Sequence, residues 1–253
     1  MLGEAARAAG YRLIVRDEVG STMEEARRAL QQGDPGQLWI VARSQNAGRG
    51  RHGRQWTSPP GNLYASLLLV NPCEPALGPQ LGFVAGLALH DAASRVTRLK
   101  APRLQLKWPN DLLLDGAKCS GLLLEGESGA GRFAVIAGLG INIASCAEGT
   151  PYPASFLRAE APDVTIEATL TALAEAWAER FAIWRQPGGF GPIRQAWLER
   201  AAFLGQTITI RPPSGAVTGV FAWLDPGGRL LLDTPTGTQV FDAGDLFFGP
   251  PAA

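Results

Sequence analysis

The sequence predicts an α+β fold, a mixed β-sheet packed with helices, followed by a small β-barrel of about fifty residues. Three observations carry that expectation. Apolar, β-forming runs alternate with helix-period stretches as far as Arg200. From Thr165 the apolar positions Ile166, Leu170, Leu173, Trp177, Phe181 and Trp184 step by three and four, which makes a helix with one buried stripe. After Gly205 the chain changes to short β runs separated by Pro and Gly turns. A chain of 253 residues with 46% hydrophobic content can bury one large core and a small second one. The boundary is expected between residues 1–203 and 204–253.

In order, Arg12 to Arg16 reads as a strand, and Ser21 opens a helix with Glu24 at capping-box spacing, ending near Gln32 before Gly33-Asp34-Pro35. Leu38 to Ala42 and Leu63 to Val70 read as strands flanking a long polar loop, Gln45 to Gly61. Leu77 to Val96 fits a helix and Leu104 to Trp108 a strand. Leu112 to Leu114 and Gly121 to Glu125 fit a hairpin turning near Asp115-Gly116. Phe133 to Ile143 is either a strand pair or a strand and bend. A second helix follows at Ile193 to Arg200. The barrel strands are expected at Thr207 to Arg211, Val217 to Leu224, Arg229 to Leu232 and Thr238 to Phe241.

Composition excludes several classes. Net charge is zero, so the chain lacks the overall positive field of a nucleic-acid or anionic-lipid binder, and any basic function must be local. Neither a signal peptide nor an apolar run long enough to span a bilayer is present. Cys73, Cys119 and Cys146 have no metal-ligand spacing and suggest neither disulfides nor zinc, which fits a reducing cytoplasm. His52 and His90 stand apart, with no nucleophile signature beside them. Of 23 basic residues only Lys100, Lys107 and Lys118 are lysines. Two of those three fall close together, by chance or because a tight site needs a point charge that an arginine fork cannot replace.

The most informative segment runs from Gln45 to Trp56. Gly48, Gly50 and Gly53 let the backbone approach a ligand, while Arg49, Arg51 and Arg54 offer forked donors to phosphate oxygens. A solvated surface loop and an Arg-Gly segment for RNA are the alternatives. Lys107-Trp108-Pro109-Asn110-Asp111 sets a cation, an amide and a carboxylate side by side at a strand end, the groups that bind phosphate, a base edge and a metal ion. A turn that merely ends a strand is the alternative, and the less favoured one. Lys118-Cys119-Ser120-Gly121 returns across the hairpin toward the same end of the sheet, with Gly121 leaving room for close packing. Gly138-Leu139-Gly140-Ile141-Asn142-Ile143 reads as a glycine bend whose Asn reads adenine or caps a turn. Ser21-Thr22 is most simply a helix cap.

Taken together and in this order, these segments resemble the biotin protein ligase family, over nearly the whole chain. The Gly48 to Trp56 loop with the Lys107 to Asp111 run separates that family from lipoate-attaching relatives of the same architecture. The resemblance implies a mixed sheet with helices, an SH3-like C-terminal barrel, and synthesis of an acyl-adenylate from biotin and ATP with Mg2+. The acceptor it implies is a lysine of a biotin carboxyl carrier protein or domain. It implies that Ser21, Thr22 and Gln45 hydrogen-bond biotin, with Gly121 beside it, while Arg49, Gly50 and Arg51 close over biotin and the adenylate phosphate. Arg54 and Trp56 would lie at the nucleotide, Trp56 against adenine, and Asn110 and Asn142 would read that ring. Lys118 would sit at the biotin carboxylate and α-phosphate, and Lys107 near phosphates. Asp111 is left between magnesium ligand and base; Lys118, Arg51, Lys107 and Asp111 are the candidate catalytic set. Met23 departs from the Asn that often follows Ser-Thr in the family, and Cys119-Ser120 is more polar than the usual pair. About twenty residues precede Ser21, too few for the DNA-binding domain of some members. Action without DNA or membrane is therefore expected, by a monomer or weak homodimer.

Overall fold

The computed structural model describes residues 1–129, 131–212 and 215–242, and the backbone of 246–248. Seven strands form the main sheet: β1 (Arg12–Val19), β2 (Leu38–Gln45), β3 (Leu63–Val70), β4 (Leu104–Lys107), β5 (Asp111–Leu114), β6 (Ala117–Gly129) and β7 (Arg132–Ile141), in the order β1-β2-β3-β7-β6-β5-β4. β1 and β2 are parallel, and the other neighbours are antiparallel. The helices are α1 (Glu4–Ala8), α2 (Thr22–Gln31), α3 (Leu81–Thr97), α4 (Ile166–Trp184) and α5 (Phe190–Leu198).

Side chains alternate across the strands, so each face has its own core. Trp39, Val41, Ala65, Leu67, Val135, Ala137 and Leu139 face the large core built with α3, α4 and α5. Leu38, Ile40, Leu68, Ala134 and Ile136 face the opposite way and pack with Met23 and Ala26 of α2. α2 packs on β2, β3 and β7. Farther along that face the sheet carries the candidate site.

The second sheet contains β8 (Thr207–Ile210), β9 (Val217–Leu224), β10 (Leu230–Thr234), β11 (Gly237–Phe241) and β12 (Leu246–Phe248), ordered β11-β10-β9-β8-β12 with all neighbours antiparallel. Its described pairings form an open sheet, not a closed ring. Ile208, Ile210, Phe221, Leu224, Leu230 and Leu232 are buried and continuous with the main core. β12 and the short helix α1 were not expected from the sequence.

Other differences have local causes. The helix expected from Leu77 starts at Leu81, because Pro75–Gln80 forms a 3-10 turn containing Pro79, which cannot donate to a helical ladder. α5 starts earlier than expected, at Phe190, directly after Gly189. The glycine bend expected at 138–140 does not exist: β7 is one continuous strand, and both glycines pair in register with β3 and β6. The Asp115-Gly116 turn is as expected, with positive φ at both residues (49° and 79°).

Asp91 on α3 ties the helical layer together. Its carboxylate accepts from Arg180 of α4 at 2.7 Å and lies 3.8 Å from Arg200, with His90 Nδ1 at 3.4 Å. Burial alone would raise this carboxyl, but hydrogen bonds from His90 and Arg180 and the two arginine charges hold it below the usual range. Asp91→Asn strands two partly buried cations and is expected to cost about 3 kcal/mol at pH 7. Because the folded value is depressed, that advantage is present above the unfolded carboxyl value of about 3.9 and fades as pH falls through the folded value. Urea unfolding of both proteins between pH 7 and pH 3 checks this; a gap that widens on acidification contradicts it.

Candidate active site

The site is built from the N-terminus of α2, the ends of β2 and β5, and the exposed face of β3, β7 and β6. Gln45 on β2 and Asp111 on β5 stand four strands apart, which at about 4.8 Å per strand gives a cleft about 19 Å across.

At the α2 end, Ser21 Oγ caps the helix by accepting from Met23 N at 3.3 Å. Gln45 Oε1 accepts from Thr22 N at 2.8 Å and Thr22 Oγ1 at 3.1 Å, and Thr22 Oγ1 lies 2.8 Å from Ser66 Oγ. Gln45 Nε2 donates to Ser58 Oγ, 2.9 Å away. These neutral groups are fixed by one another, a preorganised set of donors and acceptors for a polar, uncharged head group. Glu24 does not return to the helix cap as its spacing suggested. Its carboxylate is taken by Arg27 at 2.6 Å and by Arg49. Arg27 is its main partner and holds it below the usual carboxylate range, with help from Arg49 and Arg28.

The floor of the cleft is bare backbone. A Cβ on Gly140 would lie 2.5 Å from Trp56 Nε1, and one on Gly121 would lie 3.0 Å from Trp56 Cζ3. The Trp56 indole rests on these two glycines.

At the β5 end, Lys118 Nζ lies 2.7 Å from Asp111 Oδ1, 5.4 Å from the centre of the Trp56 ring and 5.3 Å from that of Tyr152. Its direction comes from a β-bulge. Leu112 pairs with Ser120 but Leu113 pairs with Lys118, so Cys119 is an extra residue in β6. Without it, Lys118 and Gly121 would face opposite sides of the sheet. With it, both line the cleft and Cys119 turns into the core, where burial pushes its thiol up to about 12. Lys118 is held from its other side by residues 153–155: Lys118 N donates to Pro153 O and Ser155 N to Lys118 O.

The Arg-Gly loop folds as a small hairpin. Arg49 bridges to Gln55, Gly50 N donates to Arg54 O, and a 3-10 turn at Arg51–Gly53 has positive φ at His52 and Gly53. Arg51 Nη1 donates to Asn110 Oδ1 at 3.3 Å, and Asn110 Nδ2 donates to Leu122 O at 2.7 Å, which ties the loop to the Lys107–Asp111 turn.

Ser21, Thr22, Gln45, Arg49, Gly50, Arg51, Arg54, Trp56, Lys107, Asn110, Asp111, Lys118 and Gly121 all line this one cleft. Asn142 does not. It is buried, donates from Nδ2 to Ser155 O and from its backbone N to Cys119 O, and so braces the 153–155 segment behind Lys118. Sequence reasoning missed Ser58, Tyr64, Ser66, Pro151 and Tyr152. The one available signal was Pro151-Tyr152-Pro153, an aromatic presented between two prolines. It also missed buried Asn62, whose Oδ1 accepts from the N–H groups of Ile143, Ala144 and Ser145.

Among the described residues, five cations and one carboxylate line the cleft, on a chain whose net charge is zero. That concentration suits a polyanion such as a nucleoside triphosphate. No trio of acidic, His or Cys side chains able to hold a metal occurs among the described residues. Asp111 faces Lys118, so the side chains present do not build a resident metal centre.

A fold of this kind, with a neutral hydrogen-bonding pocket joined to a cationic trough, defines an enzyme class that activates an acid with a nucleotide. Residues 18–142 match the Biotin/lipoate A/B protein ligase family and residues 203–249 match the Biotin protein ligase C terminal domain. The chain is 43% identical to a biotin–[acetyl-CoA-carboxylase] ligase of Paracoccus denitrificans, over 90% of this chain and 97% of that one. It is 31% identical to the corresponding ligase of Mycobacterium tuberculosis, over 94% and 89%. Among solved structures it is similar to the biotin protein ligase of Aquifex aeolicus in complex with biotin and ATP, with TM-score 0.79, 28% identity, and coverage of 93% and 97%. The chain belongs to the Biotin/lipoate A/B protein ligase family, among its biotin protein ligases.

Proposed function

We propose that the protein is an ATP-dependent biotin protein ligase, which makes biotinyl-5′-AMP with release of pyrophosphate and then biotinylates one lysine of a carboxylase carrier protein or domain. Residues 1–203 form the catalytic unit and 204–253 the SH3-like unit, and the enzyme acts in the cytoplasm. The single observation that carries this reading is the joining of the Thr22–Gln45–Ser66 pocket to a trough with five cations.

Ser21, Thr22 and Gln45 hold the ureido head of biotin, and Gly121 lets the Trp56 indole and the Lys118 stem lie close to the sheet, so that Lys118 meets the carboxylate at the other end. In the first step a carboxylate oxygen attacks the α-phosphorus and the bond to pyrophosphate breaks. Negative charge grows on the phosphorus oxygens, where Lys118 stabilises it from the cleft floor and Arg49 and Arg51 stabilise it once they have exchanged their present partners for the anion. Lys107 and Arg54 hold the remaining phosphates. Trp56 and Asn110 flank the base, with Asn142 bracing Lys118 from behind. Magnesium enters with ATP as part of the substrate, since Asp111 is engaged by Lys118. In the second step the carrier amine attacks the anhydride carbonyl, AMP leaves, and the amine's proton must go to a base. Only roughly four lysines in ten thousand are neutral at pH 7. Asp111, the one carboxylate lining the cleft among the described residues, is the group we assign to receive that proton.

The test is pyrophosphate release from ATP with a panel of acids. Biotin with magnesium is expected to support release, and lipoate is not. Equal release with lipoate would return the chain to the lipoate branch of the family. Release with neither, together with tight single-stranded RNA binding, would favour the Arg-Gly loop as an RNA element.

A further inference from the structure

We propose that Met23 and Gly138 act as a pair that sets the depth of the acid-binding end of the cleft, which makes Met23 a specificity-determining residue. The inference rests on biotin being the acid. Met23 lines the cleft, yet it is only 3% exposed and packs behind with Ala26, Leu38, Ile40, Leu68, Ala134 and Ile136. It is thus the apolar wall between that core and the polar Thr22–Gln45–Ser66 pocket. Its backbone is fixed by the Ser21 cap, so only the side chain can adapt. The thioether lies directly on β7: a Cβ on Gly138 would meet Met23 Sδ at 2.5 Å and Cγ at 2.8 Å. Gly138 pairs with Ser66 on β3 and Leu123 on β6, which places the contact in the floor between the hydrogen-bonding residues and an apolar flank.

Glycine at 138 is therefore what lets Met23 lie flat and leave the head-group space open. A soft, unbranched thioether at this point suits an acid whose head joins polar groups to an apolar sulfur-bearing edge. A methyl added at 138 must displace Met23, and the adjacent core is closed, so the thioether moves into the cleft.

The test is a double-mutant cycle read in adenylation kinetics. Gly138→Ala is expected to raise KM for biotin about tenfold or more with KM for ATP nearly unchanged, because the clash lies away from the cationic trough. Gly138→Ala with Met23→Ala is expected to recover most of that loss. Met23→Ala alone is expected to raise kcat/KM for biotin sulfone relative to biotin about fivefold, because the wider head gains the vacated space. That ratio does not depend on Gly138→Ala folding. A double variant no better than Gly138→Ala alone, or an unchanged sulfone-to-biotin ratio in Met23→Ala, overturns the pairing. Failure of the parent protein to adenylate biotin in the same assay would instead overturn the functional reading, and this inference with it.

Discussion

Replacing Lys118 by arginine is expected to slow adenylate formation about a hundredfold or more while leaving the protein folded. The slot around Lys118 is bounded on every side. Asp111 Oδ1 stands 2.7 Å from the ammonium, the Trp56 and Tyr152 rings stand 5.4 and 5.3 Å away, and a Cβ on Gly121 would lie 3.4 Å from Nζ. A compact ammonium fits between two aromatic faces and still presents donors to an approaching oxygen. A guanidinium is wider, planar and bidentate, so it satisfies Asp111 as a fork and turns its donors away from the reacting oxygens. Removing one preorganised donor from a developing oxyanion costs about a hundred- to a thousandfold elsewhere. The charge is kept in this variant, so long-range attraction of ATP persists. The loss should therefore fall on kcat for pyrophosphate release with little change in KM for ATP. Near-normal release by Lys118→Arg would make Lys118 an ordinary surface cation.

Lys118 also illustrates how far the sequence could be read. The hairpin and its Asp115-Gly116 turn are written in local chemistry, since a turn with two positive-φ residues selects such a pair. That Lys118 returns toward Lys107–Asp111 follows from the hairpin. Which face it points to does not follow, because the extra residue Cys119 reverses the alternation and nothing in Lys-Cys-Ser-Gly marks a bulge. Gly138 and Gly140 were misread as a bend for a related reason. Glycine signals freedom of the backbone, but here it is present because Met23 and Trp56 lie against the strand, contacts made by residues far away in sequence. The motif places Asn142 in the cleft, whereas in the structure its Nδ2 donates to Ser155 O behind Lys118. Asn62 left no sequence signal, and Tyr152 left only its two flanking prolines, because their roles come from loops meeting in space. Periodicity reported the helices and most strands well, since each buries one continuous stripe or face.

Arg51→Gly is expected to give an enzyme that still makes biotinyl-adenylate but releases it about ten- to over a hundredfold faster. The loop that carries Arg51 is already a hairpin, so closure does not require ordering a random chain. What can change is the partners of its arginines. Arg49 pairs with Glu24, and Glu24 keeps Arg27 at 2.6 Å whether or not Arg49 remains, so Arg49 can leave for an anion without stranding a carboxylate. Arg51 donates to the neutral amide of Asn110 at 3.3 Å, a bond that a phosphate oxygen outcompetes. Both arginines are thus placed to exchange their present partners for the adenylate, and the loop follows them as a lid. A charge-assisted hydrogen bond contributes roughly 1.5–3 kcal/mol, which gives the stated range if its loss falls wholly on dissociation. Adenylate formation slows with the loss of one of its three cations, but Lys118 and Arg49 remain, so the first step survives. The escaping mixed anhydride should then label exposed lysines on bystander proteins as well as the carrier. Stopped-flow dissociation of the adenylate beside bystander labelling decides the matter. An unchanged off-rate, with residues 46–57 equally protected from hydrogen exchange with and without adenylate, would mean that the loop is a fixed wall and retention of the intermediate lies elsewhere.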